Sequence, residues 1–250
     1  MRLFATSDLH TDYKDNFRWL AGISDRDYRN DALIVAGDIS DRLPIIRETL
    51  ELLRGKFRHL LFTPGNHELW VRGAEYDSIE KLQRVLELCA DLEVRTSPMR
   101  FADFWVVPLF SWYDGVVDSK HERTARQAWA DFHFCSWPAD IGPLSDYFLR
   151  LNEPHLHTYD APVVTFSHFL PRADLLPPPE YLRIGWLGSV SVCAALDNQI
   201  RKLESRVHIC GHTHTRVDKV IDGIHYIQNA VRYPKERTAT SVPIRLIHTD

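Results

Sequence analysis

Apolar, β-branched and aromatic residues gather along this chain in short runs bounded by polar residues. The runs predict strands near 2–7, 32–36, 59–63, 104–108, 163–167, 206–210, 224–228 and 243–248. Between the early runs, apolar residues recur with the helical period. Leu43 to Leu53 carries Ile46, Leu50 and Leu53 on one face, and Ser78 to Ala90 carries Ile79, Leu82, Leu86 and Cys89. Asp77 followed by Glu80 reads as a capping box at the start of the second helix. A later helix is expected from about Ser191 to Lys202, with Val192, Leu196 and Ile200 at four-residue steps. Strand and helix alternate through most of the chain, which predicts an α/β fold with layered sheets.

Five of the runs lead into a polar cluster. Leu3-Phe4-Ala5 precedes Asp8-Leu9-His10, and Leu33-Ile34-Val35 precedes Gly37-Asp38-Ile39-Ser40-Asp41. Leu60-Leu61-Phe62 precedes Gly65-Asn66-His67-Glu68, Val163 to Phe166 precedes Ser167-His168, and Val207 to Cys210 precedes Gly211-His212-Thr213-His214. In sheets covered by helices, strand ends open into loops where polar groups converge without being buried unpaired. One Asp or His at such a place is ordinarily a turn residue. Five clusters at five strand ends supply oxygen and imidazole ligands enough for two divalent metals.

The spacing of two in Asp8-Leu9-His10 suits an extended strand end, where alternate side chains point the same way and chelate one metal. His212 and His214 repeat that spacing after Gly211. Asp38 is the expected bridge, because two cations roughly 3.5–4 Å apart need a shared anion. A water between two Lewis acids is deprotonated near neutral pH, giving a hydroxide nucleophile aimed at phosphorus.

Composition narrows the setting. At 250 residues the chain suits one domain spanning 1–250, and 44% hydrophobic with 26% charged residues is ordinary for a globular enzyme. No segment approaches the roughly 18 apolar residues of a membrane span. Met1 to Asp8 reads directly as a core strand running into ligands, so a cytoplasmic protein without a targeting peptide is expected. Cys89, Cys135, Cys193 and Cys210 lack paired spacing and read as small core hydrophobes. A net charge of −4 argues against a dedicated nucleic-acid surface. The histidines outside the clusters, His59, His121, His133, His155, His157, His208, His225 and His248, read as surface or packing residues.

The stretch 110–160 is crowded with aromatics, including Trp112, Tyr113, Trp129, Phe132, Phe134, Trp137, Tyr147 and Phe148, and is interrupted by Pro138, Gly142 and Pro143. It reads either as an inserted helical pair with its own small core or as a lid over the metal cleft. Trp70 is placed to wall the pocket or to pack in the core. Pro177-Pro178-Pro179 shapes a loop, and specificity is expected to come from 110–160 and from the loop 177–188.

In order, the clusters read Asp-x-His, Gly-Asp-x-x-Asp, Gly-Asn-His-Glu, a lone His and Gly-His-x-His. In these motifs, spanning Asp8 to His214, the chain resembles the calcineurin-like metallophosphoesterase superfamily. The resemblance implies a layered double β-sandwich, two mixed sheets flanked by helices. It assigns Asp8, His10 and His214 to a first metal, Asn66, His168 and His212 to a second, and Asp38 to both. His67 is then the residue that bonds the substrate phosphate or protonates the leaving oxygen. Asp41 matches the carboxylate that orients this histidine in phosphoprotein phosphatases, and Arg42 the arginine that contacts phosphate there. Leu43 stands where those phosphatases carry Gly, which argues against protein substrates. Paired histidines of class III cyclic-nucleotide phosphodiesterases give way here to His168-Phe169-Leu170-Pro171. The lipid A precursor hydrolases carry Arg where His67 stands. Repair nucleases add a capping domain and a coiled-coil insertion not seen here.

The expected function is a binuclear metal-dependent hydrolase of phosphate esters, acting by in-line attack of the bridging hydroxide on a small-molecule monoester or diester. The ligand set suits manganese, iron or zinc. The alternatives are a cyclic-nucleotide phosphodiesterase or nuclease, or a noncatalytic metal-stabilised binding module, against which the intact His67 counts.

Overall fold

The computed structural model describes residues 1–117, 119–178, 184–238 and 240–249. Pro179 and the rest of 179–183 in the loop 177–188 lie outside the described residues. Strands β1 (Arg2–Thr6), β2 (Ala32–Ala36), β3 (His59–Thr63) and β10 (Arg245–Thr249) form one sheet in the order β10-β1-β2-β3. The second sheet joins β4 (Met99–Arg100), β5 (Trp105–Pro108), β6 (Val163–Phe166), β7 (Ser205–Cys210), β9 (Ile224–Asn229) and β8 (Arg216–Ile221), in that spatial order. In the first sheet β1, β2 and β3 run parallel; in the second β5, β6, β7 and β9 do, and only the edge pairings of each sheet are antiparallel. The parallel inner strands therefore deliver their carboxyl ends, and the polar clusters that follow, to one edge.

Period-two alternation decides which face each side chain covers. Leu3, Ala5, Ile34, Ala36 and Leu61 face Val106, Phe166 and Ile209 of the other sheet in a shared core. Their neighbours Phe4, Leu33, Val35, Leu60 and Phe62 face outward against Ile46, Leu50 and Leu53 of α2 (Leu43–Arg54), and against Val85 and Cys89 of α3 (Ser78–Asp91). On the far side Val107, Val163 and Tyr226 pack on Leu196 and Ile200 of α7 (Leu196–Lys202). The layers are helix, sheet, sheet, helix. Asp77 caps α3 through the backbone N–H groups of Ile79 and Glu80, and Glu80 completes the capping box.

Several elements depart from the sequence reading. The late helix begins at Leu196, not Ser191, because the backbone around Val192 is already engaged by Leu170: Leu170 N–H donates to Ser191 O and Cys193 N–H to Leu170 O. Neither α1 (Lys14–Ala21) nor β8 was expected. β8 is an edge strand whose residues are mostly exposed, so it carries no apolar run. The stretch 110–160 holds α4 (Glu122–Ala128), α5 (Asp131–Phe134) and α6 (Leu144–Leu151). Its Trp112, Tyr113 and Phe148 form a further cluster with Leu69, Leu82, Phe169 and Trp186.

Candidate metal centre

The backbone at the carboxyl edge is bent into the left-handed region where the expected ligands sit: φ is +52° at Asp8, +43° at His10, +60° at Asp38, +73° at His212 and +54° at His214. Asp8 and His10 thus converge through a turn and not through the extended alternation expected of them. Each such residue costs of order 1 kcal/mol or more, and persists only where surrounding bonds hold it. Here the loops are tied to one another. Asp8 N–H donates to Gly37 O, His10 N–H to Asp38 O and Thr11 N–H to Ile39 O, each at 2.9 Å. His212 N–H donates to Asp8 Oδ1 at 2.8 Å.

Glu68, given no role by the sequence reading, is the main tie. Its fully buried carboxylate accepts from the N–H groups of Asp38 (2.9 Å), Ile39 (2.6 Å), Ser40 (3.2 Å) and Gly65 (2.7 Å). It clamps the loop after β2 to the loop after β3.

The structure brings Asp8, His10, Asp38, Asn66, His168, His212 and His214 together. Ligand-type atoms of Asp8, His10 and His214 lie within 4.8 Å of one another, as do those of Asp38, His168 and His212, and those of His10, Asp38 and His67. Asp38 therefore faces both sides. Burial, then the charges of Glu68 and Asp8, push its carboxyl well above the ordinary range.

Hydrogen bonding shows that these residues fit cations. His168 Nδ1 faces Ala36 O at 2.9 Å and His212 Nε2 faces Val190 O at 3.0 Å; carbonyls only accept, so those nitrogens carry the protons. In the neutral rings the opposite nitrogens are lone pairs, 3.2 Å apart, and each is 3.1 Å from Asn66 Oδ1. Three facing acceptors call for a cation between them. On the other side His214 Nε2 lies 3.0 Å from His10 Nε2 and 3.5 Å from Asp8 Oδ1, while His10 Nδ1 is buried with no hydrogen-bond partner among the described residues. Burial, then the charges of His67 and His214, hold His10 well below the ordinary imidazole range. Burial also lowers His214, but Glu236, accepting from its Nδ1 at 2.8 Å, and Asp8 lift it to a net rise.

His67 stands beside the ligands, with Nε2 3.8 Å from Asp38 Oδ2 and its ring 3.7 Å from that of Trp70. Burial, with His168 and His214 nearby, pushes it well below its ordinary value. Asp41 does not meet it directly. The Asp41 carboxylate pairs with Arg72, whose guanidinium lies 5.1 Å from the Trp70 ring, so the connection runs through Arg72 and Trp70. Arg42 is exposed at the start of α2, and neither residue lines the cleft.

That cleft, about 450 Å³, is lined by Asp38, Asn66, His212 and His214 of the ligands, by His67, and by Trp70, Trp129, Ile184, Leu187, Tyr233 and Glu236. Tyr233 packs on His10 at 4.4 Å and on His214 at 4.9 Å between ring centres. Tyr233 and Glu236 follow β9, a further parallel strand end, and that position was their only signal in the sequence. A larger hollow of about 630 Å³ lies at the start of β3, lined by Arg54, Arg58, His59 and Arg95; its lining includes none of the ligands.

Buried Asp, Asn and His at the common edge of two packed sheets define a metal-dependent hydrolase. The chain belongs to the calcineurin-like phosphoesterase family, whose model matches residues 1–216. It is a hydrolase of phosphate esters that uses divalent metal ions. It is 28% identical to the acyl-carrier-protein phosphodiesterase PptH of Mycobacterium tuberculosis, over 94% of this chain and 78% of that protein. The crystal structure of the phosphopantetheinyl hydrolase PptH from the same organism superposes with a TM-score of 0.82 at 25% identity, covering 100% of this chain and 96% of that one. No helix among the described residues is long and apolar enough to cross a membrane.

Proposed function

We propose that the chain is a phosphodiesterase that releases a phosphopantetheine-type arm from a carrier protein. The supporting observation is the pairing of the ligand cluster with an apolar wall. Trp70, Trp129, Ile184 and Leu187 line the same cleft as Asp38, Asn66, His212 and His214, and so offer an elongated arm a surface next to the reacting phosphate. The similarity to a carrier-protein phosphodiesterase over nearly the whole chain points the same way. The partner is then a protein-borne ester, in place of the free small molecule expected from the sequence.

Asp8, His10 and His214 would hold one ion, Asn66, His168 and His212 the other, and Asp38 both; manganese, iron or zinc suits this mixture of imidazole and oxygen. Bound ions would supply Lewis acidity to the phosphoryl oxygens and to the attacking water. The water oxygen ends on phosphorus as one of its protons passes to solvent, the P–O bond to the carrier hydroxyl breaks, and that leaving oxygen takes its proton from His67, which binds one from solvent beforehand and ends neutral. Trp70 fixes the His67 ring plane from beneath. We place the protein in a reducing compartment such as the cytoplasm, a reading supported by its four free cysteines, three of them buried.

The test uses metal-stripped protein reloaded separately with manganese, iron(II) and zinc. Hydrolysis of bis-p-nitrophenyl phosphate is compared with p-nitrophenyl phosphate, and a phosphopantetheinylated carrier protein is followed by intact mass. Preference for the diester, with the carrier losing its whole arm, is the expected result. Turnover of the monoester alone would make the protein a phosphatase and defeat the proposal.

A further inference from the structure

One carboxylate in the aromatic stretch reaches back to the centre. Asp131, at the first position of α5, is almost fully buried. Its Oδ1 accepts from Asn66 Nδ2 at 2.8 Å and from Trp70 Nε1 at 2.6 Å, and its Oδ2 accepts from Trp129 Nε1 at 2.8 Å. A buried carboxylate surrounded by neutral donors is a costly way to fill apolar space, since the charge is stabilised by dipoles alone. A cover needing only packing would be served by another aromatic side chain.

We propose that Asp131 is the positioning residue of the second metal site. By taking the Asn66 amide hydrogen it fixes which end of the carboxamide faces inward, so that Oδ1 meets the lone pairs of His168 and His212. Without that acceptor, Asn66 is free to turn its NH₂ toward the site. The same oxygen fixes Trp70, and so the plane on which His67 rests. Its negative charge, one carboxamide away, adds attraction for a cation there. The stretch 110–160 is by this argument a structural member of the centre and not a separable lid. The inference rests on the two-ion reading but not on the choice of substrate.

The test is metal binding by the metal-stripped full chain, measured as manganese stoichiometry and affinity by equilibrium dialysis with elemental analysis. Wild-type protein is expected to bind two ions. Asp131→Asn is expected to keep the first and bind the second about 10–100-fold more weakly, the usual effect of losing a residue that orients a ligand. Asn66→Asp should do the same, by setting two carboxylates against each other. The double variant Asn66→Asp with Asp131→Asn restores a donor–acceptor pair in the opposite sense and should bind the second ion more tightly than either single variant. A purely structural role would not produce that recovery.

Two ions bound by Asp131→Asn with wild-type affinity would overturn the role of Asp131 alone; one ion in the wild type would overturn the two-ion reading as well. Should Asp131→Asn lose its cooperative thermal transition, the wild type still decides. Its Asn66 carboxamide protons are expected to exchange slowly with solvent in ¹⁵N–¹H spectra, and exchange at the rate of an exposed asparagine would overturn the proposal.

Discussion

The strand-end loops and the aromatic stretch 110–160 meet at the same cleft but are built on opposite terms. The loops hold their ligands through backbone: left-handed turns, loop-to-loop hydrogen bonds and the Glu68 carboxylate drawing four N–H groups inward. The aromatic stretch holds its residues through side chains, with Trp112 stacked on Phe148 and edge-on to Phe169 and with Asp131 gathering two indoles. A backbone cradle has little room to adjust, whereas packed side chains can shift rotamers. Substitutions in the first should therefore abolish metal binding, and most substitutions in the second should change substrate affinity.

The largest effect is expected at Gly65. A Cβ there would overlap Asp38 Oδ1 and come within 2.8 Å of the His168 ring, both buried ligands with nowhere to retreat. Gly65→Ala should lose tight binding of the second ion in a dialysis experiment, and turnover by at least about 10³-fold, as several kcal/mol of charge stabilisation disappear. Retention of both ions would show that the cradle is more compliant than its hydrogen bonds imply. Next comes His67→Gln, which leaves the ligands in place. It should keep two ions and lower kcat about 10²–10⁴-fold, the ordinary range for a lost proton donor. Unchanged turnover would remove His67 from the reaction.

The difference between the regions also explains what the sequence disclosed. Ligands that follow a buried parallel strand announce themselves, because the apolar run and the polar cluster are adjacent in the chain; Asp38 after Leu33-Ile34-Val35 is an example. Glu68 was visible as part of a motif, but its task depends on N–H groups brought close by the turn after β2, 30 residues away in sequence. Asp131 gave no signal. A lone Asp between Ala130 and Phe132 has the look of a surface helix residue, and only the fold places it against Asn66. Asp41 stands at a motif position whose partner the sequence does not name: in the fold its carboxylate pairs with Arg72, 31 residues further on.

The strand framework itself carries a pH signature of intermediate size. His208 on β7 is fully buried between Thr165 Oγ1 at 2.8 Å and Ser167 Oγ at 3.1 Å, and burial pushes its imidazole down to about 3. Unfolded, the same ring titrates near 6.5. The unfolded chain thus binds the proton more readily, so the stability contributed by neutral His208 is complete above about pH 6.5 and is lost as pH falls toward 3. The slope is about 1.4 kcal/mol per pH unit in between. Urea midpoints of metal-free protein at pH 7 and pH 5 should differ less in His208→Gln than in wild type. Identical differences would mean the ring is solvated and that this part of the core is looser than its burial indicates.

The smallest effect is expected at Gly142, which sets the aromatic stretch directly against Gly65. Its φ is +74°, so alanine is disfavoured there, but a Cβ would meet nothing within 4 Å. The cost is backbone strain alone, about 1 kcal/mol, which lowers the melting temperature by about 2–4 °C in a chain of this size. Because no ligand or its carboxylate partner is displaced, Gly142→Ala should keep both ions and a wild-type kcat. Calorimetry with dialysis on the same sample checks both halves of the expectation. Loss of the second ion in this variant would mean that the turn before α6 is coupled to Asp131 and Asn66, and that the aromatic stretch is as unyielding as the strand-end loops.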